Sequence, residues 1–502
     1  MHGRWIRAAR GAAVTASRAP LAKPAAPRAF ATLTADRLPR HILECEYAVR
    51  GAVLLKAEEI EARLLAGDTN LAFDQVVACN IGNPQAVGAA PLTFHRQVLS
   101  CLTHPALLNM PGVFPDDVRE RALHYLKGIK DGRAGAYSHS KGHKVFRDQV
   151  ADFLTERDGI ETNPDDIFMT DGASAAVAMV LKLCVRGPSD GVMLPIPQYP
   201  LYSATMTLLG GQSVGYFLEE ENNWSISLKE LEASITKFRK EGGEPRALVV
   251  INPGNPTGQV LSREAMVQVL EFAEREKLLL LADEVYQDNI HADGKDFISF
   301  RRLASELGIG TEVFSFHSAS KGVTGECGLR GGFVHCHNVS PCVMEQMYKI
   351  SSINLCSNVL GQALMASIVS LPHLTSSSRA LFDQERHDTR LALKRKAVMV
   401  TEKLNEMEGI SCQPIEGAMY AFPSVDIKGY IMKKAMSSSV AADQVYCMEM
   451  VERTGVITVP GSGFGQRPGT FHFRMTILPE ESTLQKVLKD IGNFHAQHAD
   501  GW

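Results

Sequence analysis

The sequence predicts an α/β protein, a large doubly wound and mostly parallel sheet joined to a smaller α/β domain. Two observations carry this. Between Asp166 and Phe316 lie five apolar runs, "DIFMT", "GVMLPI", "RALVVIN", "KLLLLAD" and "EVFSF". None alternates with polar residues, which is how strands buried on both faces read. Helical patterns separate the runs, and strand–helix–strand alternation supplies the crossovers that a parallel sheet needs. A ligand of such a sheet binds at the carboxyl ends of its strands.

Taken in order, the first 35 residues stand apart. They hold five arginines and one lysine with no acid before Asp36, and Arg4, Arg7 and Arg10 recur at helical spacing beside Trp5 and Ile6. This is the pattern of an organelle presequence and lacks the continuous apolar run of a secretory signal. A mitochondrial matrix location is expected, with a cytoplasmic one as the alternative. Residues 36–100 are expected to join the smaller domain, 101–350 to form the large domain and 351–502 the smaller one. "SREAMVQVLEFAEREK" places Met266, Val269, Leu270 and Ala273 on one helix face behind Ser262 as N-cap. From Ile350 the pattern turns helical, through "GQALMASIVSL" and a long charged helix ending in "KLNEM". The short strands "GAMYAFPSV", "GVITVPGSGF" and "FHFRMTIL" follow.

Composition narrows the partners. With 45% hydrophobic and 22% charged residues and a net charge of −4, nothing recommends nucleic acid or an anionic membrane. No apolar run reaches the length of a membrane span. Ten cysteines occur without a C-x-x-C pair and read as reduced thiols. "HCH" at His335–His337 has no second ligand cluster; its surroundings fit an alternating strand, and no metal is expected.

Chemistry collects at the strand ends. "DGAS" opens a helix, where Gly172 and Ala173 let backbone N–H groups approach an anion and Ser174 adds a hydroxyl. Tyr199 in "PQYP" can lie against a flat heterocycle. Asn255 in "NPGNPTG" offers an amide. Asp283 ends "LLLLAD", where a lone carboxylate is costly unless a cation faces it, and Tyr286 follows three residues later. "SASKG" presents Ser318 and Lys321, and Arg330 lies nine residues beyond the lysine. Taken singly, each has a plainer reading: an N-cap for the helix start and for Asp283, packing for Tyr199, a solvated amine for Lys321. Together they match what pyridoxal 5'-phosphate requires: a phosphate cradle (Ser318 and Arg330), a stacking ring, an acid for the pyridine nitrogen and an amine for covalent attachment. Once released by substrate, Lys321 can serve as general base and acid.

The spacing of "NPGNPTG", "ADEVYQDN", "SASKG" and Arg330 resembles the fold-type I, class I and II aminotransferases. "NIGNPQ", "GAYSHSKG", "PIPQYPLYSATM", "SKGVTGECGLRGG", "GAMYAFP" and "FHFRMTILP" are similar to the alanine-type branch, whose lysine–arginine spacing is nine where wider relatives have eight. The resemblance implies transamination of L-alanine with 2-oxoglutarate, through pyridoxamine phosphate, by a homodimer with interface active sites acting on amino acids and 2-oxo acids. It implies that Tyr137 reaches the partner's phosphate, that Arg474 grips the substrate α-carboxylate and that Gly82 lends backbone to the same pocket. By sequence alone Arg474 is only an arginine in a strand. A glutamate:glyoxylate aminotransferase and a fold-type I lyase or synthase are the alternatives.

Overall fold

The computed structural model describes residues 34–47 and 51–499. The presequence expected over residues 1–35 lies, but for its last two residues, outside them. Residues 34–44 belong to a unit of their own, with a 3₁₀ turn Ala35–Arg37 and a helical turn Arg40–Leu43.

In the unit from residue 45 onward, seven strands form the main sheet: β1 (Ile167–Thr170), β2 (Asp190–Ile196), β3 (Gln212–Phe217), β4 (Glu244–Ile251), β5 (Leu279–Asp283), β6 (Val313–Ser318) and β7 (Gly332–His337). Their order is β1-β7-β6-β5-β4-β2-β3. Pairing is parallel throughout except at β7, which is antiparallel to β1 and to β6. The five apolar runs are β1, β2, β4, β5 and β6, and their carboxyl ends share one edge of the sheet.

Each run is buried on both faces because helices cover both. Along β4, Ala247, Val249 and Ile251 pack on one side with the helix Ala173–Cys184, while Leu248 and Val250 pack on the other with Arg263–Glu276. Ser262 caps the latter helix, its hydroxyl accepting from the Ala265 N–H at 3.2 Å. Strand β7 differs from the alternating strand expected of "HCH". His335 and Cys336 are both buried, because β7 lies between β1 and β6 with helices on either side.

Two further cores complete the unit. Helices Thr93–Thr103, Lys144–Asp158 and Val359–Val369 bury Phe94, Val150 and Leu364 against β1 and β7. Helix Ala52–Leu65 and the long helix Arg379–Asn405 pack with the C-terminal elements around Tyr446, Phe473 and Leu488. There β8 (Tyr420–Ala421), β9 (Val459–Pro460) and β10 (Phe473–Thr476) form an antiparallel sheet with β10 in the middle, which fixes the position of Arg474.

Candidate active site

At the carboxyl edge of the main sheet a cavity of about 300 Å³ is bordered by Gly82, Ala173, Ser174, Tyr199, Asn255, Asp283, Tyr286, Ser318, Lys321, Arg330 and Arg474. Tyr137 is not among its lining residues; its side chain is 78% exposed.

Asp283 is the last residue of β5, so its carboxylate leaves the sheet where the cavity begins. Its Oδ2 accepts from the Tyr202 hydroxyl at 2.8 Å and Oδ1 from the Val285 N–H at 3.4 Å. Burial pushes its pKa up to about 6, against the opposing pull of these two donors and the Lys321 charge. A buried acid in this state favours a cation or a shared proton beside it.

Arg330 adopts φ 54°, a left-handed conformation, and turns its guanidinium back toward the start of helix Ala173–Cys184. Its Nη2 donates to the Asp171 carbonyl at 2.9 Å and to Ser174 Oγ at 3.4 Å, and its Nη1 reaches Ser320 Oγ at 3.4 Å and the Cys327 carbonyl at 3.0 Å. Gly172, the residue before the helix, has φ 80°, and a Cβ there would stand 2.4 Å from Arg330 Nη2. Ser318 Oγ accepts from the Ser320 N–H at 3.1 Å. A guanidinium, three hydroxyls and a helix N-terminus around a space that only glycine leaves open have the chemistry of a phosphate cradle.

Lys321 Nζ donates to the Gly82 carbonyl at 2.7 Å and lies 5.9 Å from the centre of the Tyr286 ring. The Tyr286 hydroxyl is 3.3 Å from that of Tyr420. A Cβ on Gly82 would fall 2.1 Å from the Tyr420 oxygen and 3.0 Å from Lys321 Nζ, so this backbone must be bare to pass between them. Burial alone would raise the Tyr420 phenol, but the charges of Lys321 and Arg474 outweigh it and hold its pKa below the ordinary value.

Arg474 is almost completely buried, with its guanidinium carbon 4.3 Å from the Tyr420 ring centre and 4.7 Å from that of Phe464. Its Nη1 donates to Asn255 Oδ1 at 3.1 Å and its Nη2 to the Asn80 carbonyl at 2.5 Å, while Nε is buried without a partner. With Asn255 Oδ1 thus engaged, the NH₂ end of its amide is the donor left for a ligand. Two aromatic faces and two neutral acceptors hold a guanidinium whose charge no carboxylate among the described residues cancels, as an anion site requires.

Sequence reasoning assigned no role to Tyr202, Tyr420, Asn80 or Tyr47, although all but Asn80 and Tyr202 border the cavity directly. Tyr202 stood in the quoted "PIPQYPLYSATM" and Tyr420 in "GAMYAFP". Their functional partners are 81 and 134 residues away, so only the folded chain shows them.

Residues 111–491 match the family "Aminotransferase class I and II". An alanine aminotransferase 2 of Panicum miliaceum is 44% identical over 471 residues, covering 93% of this chain and 98% of the relative. The mitochondrial alanine aminotransferase 1 of Arabidopsis thaliana is 43% identical over 474 residues, 93% of this chain and 87% of its own. Among solved structures, an alanine aminotransferase from Pyrococcus furiosus superposes with a TM-score of 0.73 at 23% identity, covering 92% of this chain and all of that one, a likeness of fold. The fold is that of the fold-type I transferases, and the enzyme is one that depends on pyridoxal phosphate. The chain belongs to the class I and II aminotransferases, which move amino groups between amino acids and 2-oxo acids.

Proposed function

We propose that this enzyme converts L-alanine and 2-oxoglutarate reversibly to pyruvate and L-glutamate, in two half-reactions at one site. The observation that carries this reading is the opening of Lys321, Asp283, Arg330 and the Arg474 fork onto one cavity, in a chain whose long matches are to alanine aminotransferases.

The cradle fits the cofactor: Arg330, Ser174, Ser318 and the backbone at Ala173 would hold the phosphate, Asp283 the pyridine nitrogen, Tyr286 and Asn255 its oxygen substituent, and Tyr199 the ring face. Bound there, pyridoxal phosphate supplies an electron sink and carries the amino group between half-reactions. Arg474 binds the α-carboxylate that all four substrates share, with Asn255 and the backbone at Gly82 closing the pocket. Lys321 would hold the cofactor covalently through Nζ and, when free of it, would take the proton from substrate Cα at the same atom. Asp283, itself held by Tyr202, would keep a proton on the pyridine nitrogen.

The proposal includes a large domain over residues 101–350 and a smaller one over 351–502 completed by 36–100. The separate core around helices Ala52–Leu65 and Arg379–Asn405 supports it, although helices Thr93–Thr103 and Val359–Val369 pack with the larger part and residues 36–44 belong to a unit of their own. It also includes a homodimer in which the exposed Tyr137 reaches the partner's phosphate, and mitochondrial import through residues 1–35, the latter supported by relatives named mitochondrial. Sedimentation of the purified enzyme tests the dimer, and a reporter fused to residues 1–40 tests import.

A panel of amino donors and oxo-acid acceptors tests the reaction. Parallel-line initial-rate patterns with alanine and 2-oxoglutarate are expected, as a shared site demands. Efficient use of glyoxylate with negligible turnover of pyruvate and 2-oxoglutarate would move the enzyme to the glutamate:glyoxylate class. Release of product without an acceptor would make it a lyase.

A further inference from the structure

Alanine and glutamate differ by a distal carboxylate, and a single cavity has to accept both. The side chains of this chain that line it include three cations, Lys321, Arg330 and Arg474. The proposed reading uses all three, for covalent attachment, phosphate and α-carboxylate. Among the described residues no fourth cation of this chain borders the cavity for the distal group; Arg133, in the sequence beside Tyr137, is exposed and does not line it. A dedicated guanidinium would in any case be left unpaired each time alanine bound, at a cost an uncharged receptor avoids.

The cavity wall does contain two hydroxyls that satisfy each other. Tyr47 Oη and Tyr199 Oη lie 2.8 Å apart, with their rings edge to face at 6.5 Å between centres. Tyr47 is 37% exposed and Tyr199 half-buried, so this part of the wall is partly wet. The segment carrying Tyr47 is tied down beside Tyr199 by Cys45, whose Sγ lies 3.6 Å from the Ala204 carbonyl in the helix Leu201–Leu209. Burial and the neighbouring Tyr47 hold the Tyr199 phenol well above its ordinary pKa, so it keeps its proton as a donor.

We propose that Tyr47 and Tyr199 are the specificity residues for the dicarboxylate substrates, their hydroxyls turning from each other to receive the distal carboxylate of glutamate or 2-oxoglutarate. With alanine or pyruvate the pair stays closed, one hydroxyl donating to the other, and no polar group is left unsatisfied. With glutamate both O–H groups donate to the carboxylate, which accepts two bonds while solvent at the half-open rim meets its remaining lone pairs. One site thus reads a methyl and a carboxyethyl group without stranding a charge. The inference rests on the alanine–glutamate reading proposed above.

The test uses the loaded holoenzyme and the Tyr47→Phe variant in single-turnover half-reactions, with alanine and with glutamate separately. The ratio of kcat/KM for glutamate to that for alanine should fall about tenfold, the loss of one hydrogen bond to a charged group. Glutarate should lose inhibitory affinity by a similar factor while propionate loses far less. Tyr199→Phe, which retains the ring, should lower the same ratio. An equal loss on both amino acids, or an unchanged ratio in both variants, would overturn the assignment. Wild-type enzyme that turns over neither alanine nor pyruvate would instead defeat the parent reading, so the two failures are told apart.

Discussion

Tyr202 donates its phenolic proton to Asp283 Oδ2 across 2.8 Å in a fully enclosed setting. The tyrosine lies in the first turn of the helix that follows β2, the aspartate at the end of β5, and β4 runs between those strands. Burial outweighs this bond, and Asp283 titrates near pH 6. The protein thus maintains a partly unmet demand for positive charge at the floor of its cavity.

That demand has a pH signature in the cofactor-free protein. The folded-state pKa of about 6 lies above the 3.8 of a free aspartate, so folding takes up a proton between these values. The associated stability is fully present below pH 4 and lost as pH rises through 6, in total on the order of 3 kcal/mol. Asp283→Asn apoprotein should therefore resist urea better than wild type at pH 7.5, with the gap closing toward pH 4. A pH-independent difference would show that Asp283 is not the group responsible.

Tyr202→Phe removes the main donor to that carboxylate and should raise its pKa further, moving the stability loss to higher pH. In the loaded enzyme the cofactor should stay bound while kcat falls roughly tenfold, the scale of one charge-assisted hydrogen bond. Cofactor titration and steady-state rates on the same preparation separate the two effects. Weakened cofactor binding with normal kcat would point to packing instead.

Much of this was legible in the sequence because local chemistry and fold agree there. The five apolar runs are strands, since burial on both faces leaves no other composition open to them. Ser262 caps its helix because hydroxyl and orphan amide are neighbours in the chain. Strand β3 escaped notice because it is the sheet edge: Gln212, Ser213 and Gly215 are exposed, and only Val214 and Tyr216 face a core. The direction of β7 was likewise hidden, as its residues suit either orientation between β1 and β6. Tyr202 and Tyr420 carried no legible role, because their hydroxyls meet Asp283 and Tyr286 from segments far apart in the chain.

The phosphate cradle makes a prediction at a residue without a side chain. Gly172→Ala sets a Cβ 2.4 Å from Arg330 Nη2 and imposes φ 80° on a residue that resists it. Arg330 must yield, and with it its contacts to Ser174 and Asp171. Reconstitution of the apoprotein should show cofactor affinity lowered at least tenfold, roughly 1.4 kcal/mol. Wild-type affinity would mean the phosphate lies elsewhere.

Lys321→Ala should abolish covalent attachment and nearly all transamination, since among the lining residues Lys321 supplies the amine. Borohydride reduction followed by peptide mapping checks it: label is expected on the wild-type peptide that contains Lys321. Label on another lysine in the wild type would remove the assignment.

Arg474→Lys tests the shared anchor. The guanidinium bonds Asn255 through Nη1 and the Asn80 carbonyl through Nη2, and stays flat between the rings of Tyr420 and Phe464. A lysine keeps the positive charge but is a point donor on a flexible stem, unable to bridge both acceptors and present two parallel N–H groups. Because the α-carboxylate is common to alanine, glutamate, pyruvate and 2-oxoglutarate, KM should rise for all four together, about ten- to a hundredfold. Any change in kcat should be alike in the two half-reactions, as neither has an anchor of its own at this end. The readout is four KM values from one preparation, with cofactor content measured alongside. A loss confined to the dicarboxylates would place Arg474 at the distal carboxylate and leave the Tyr47–Tyr199 pair without a part in specificity.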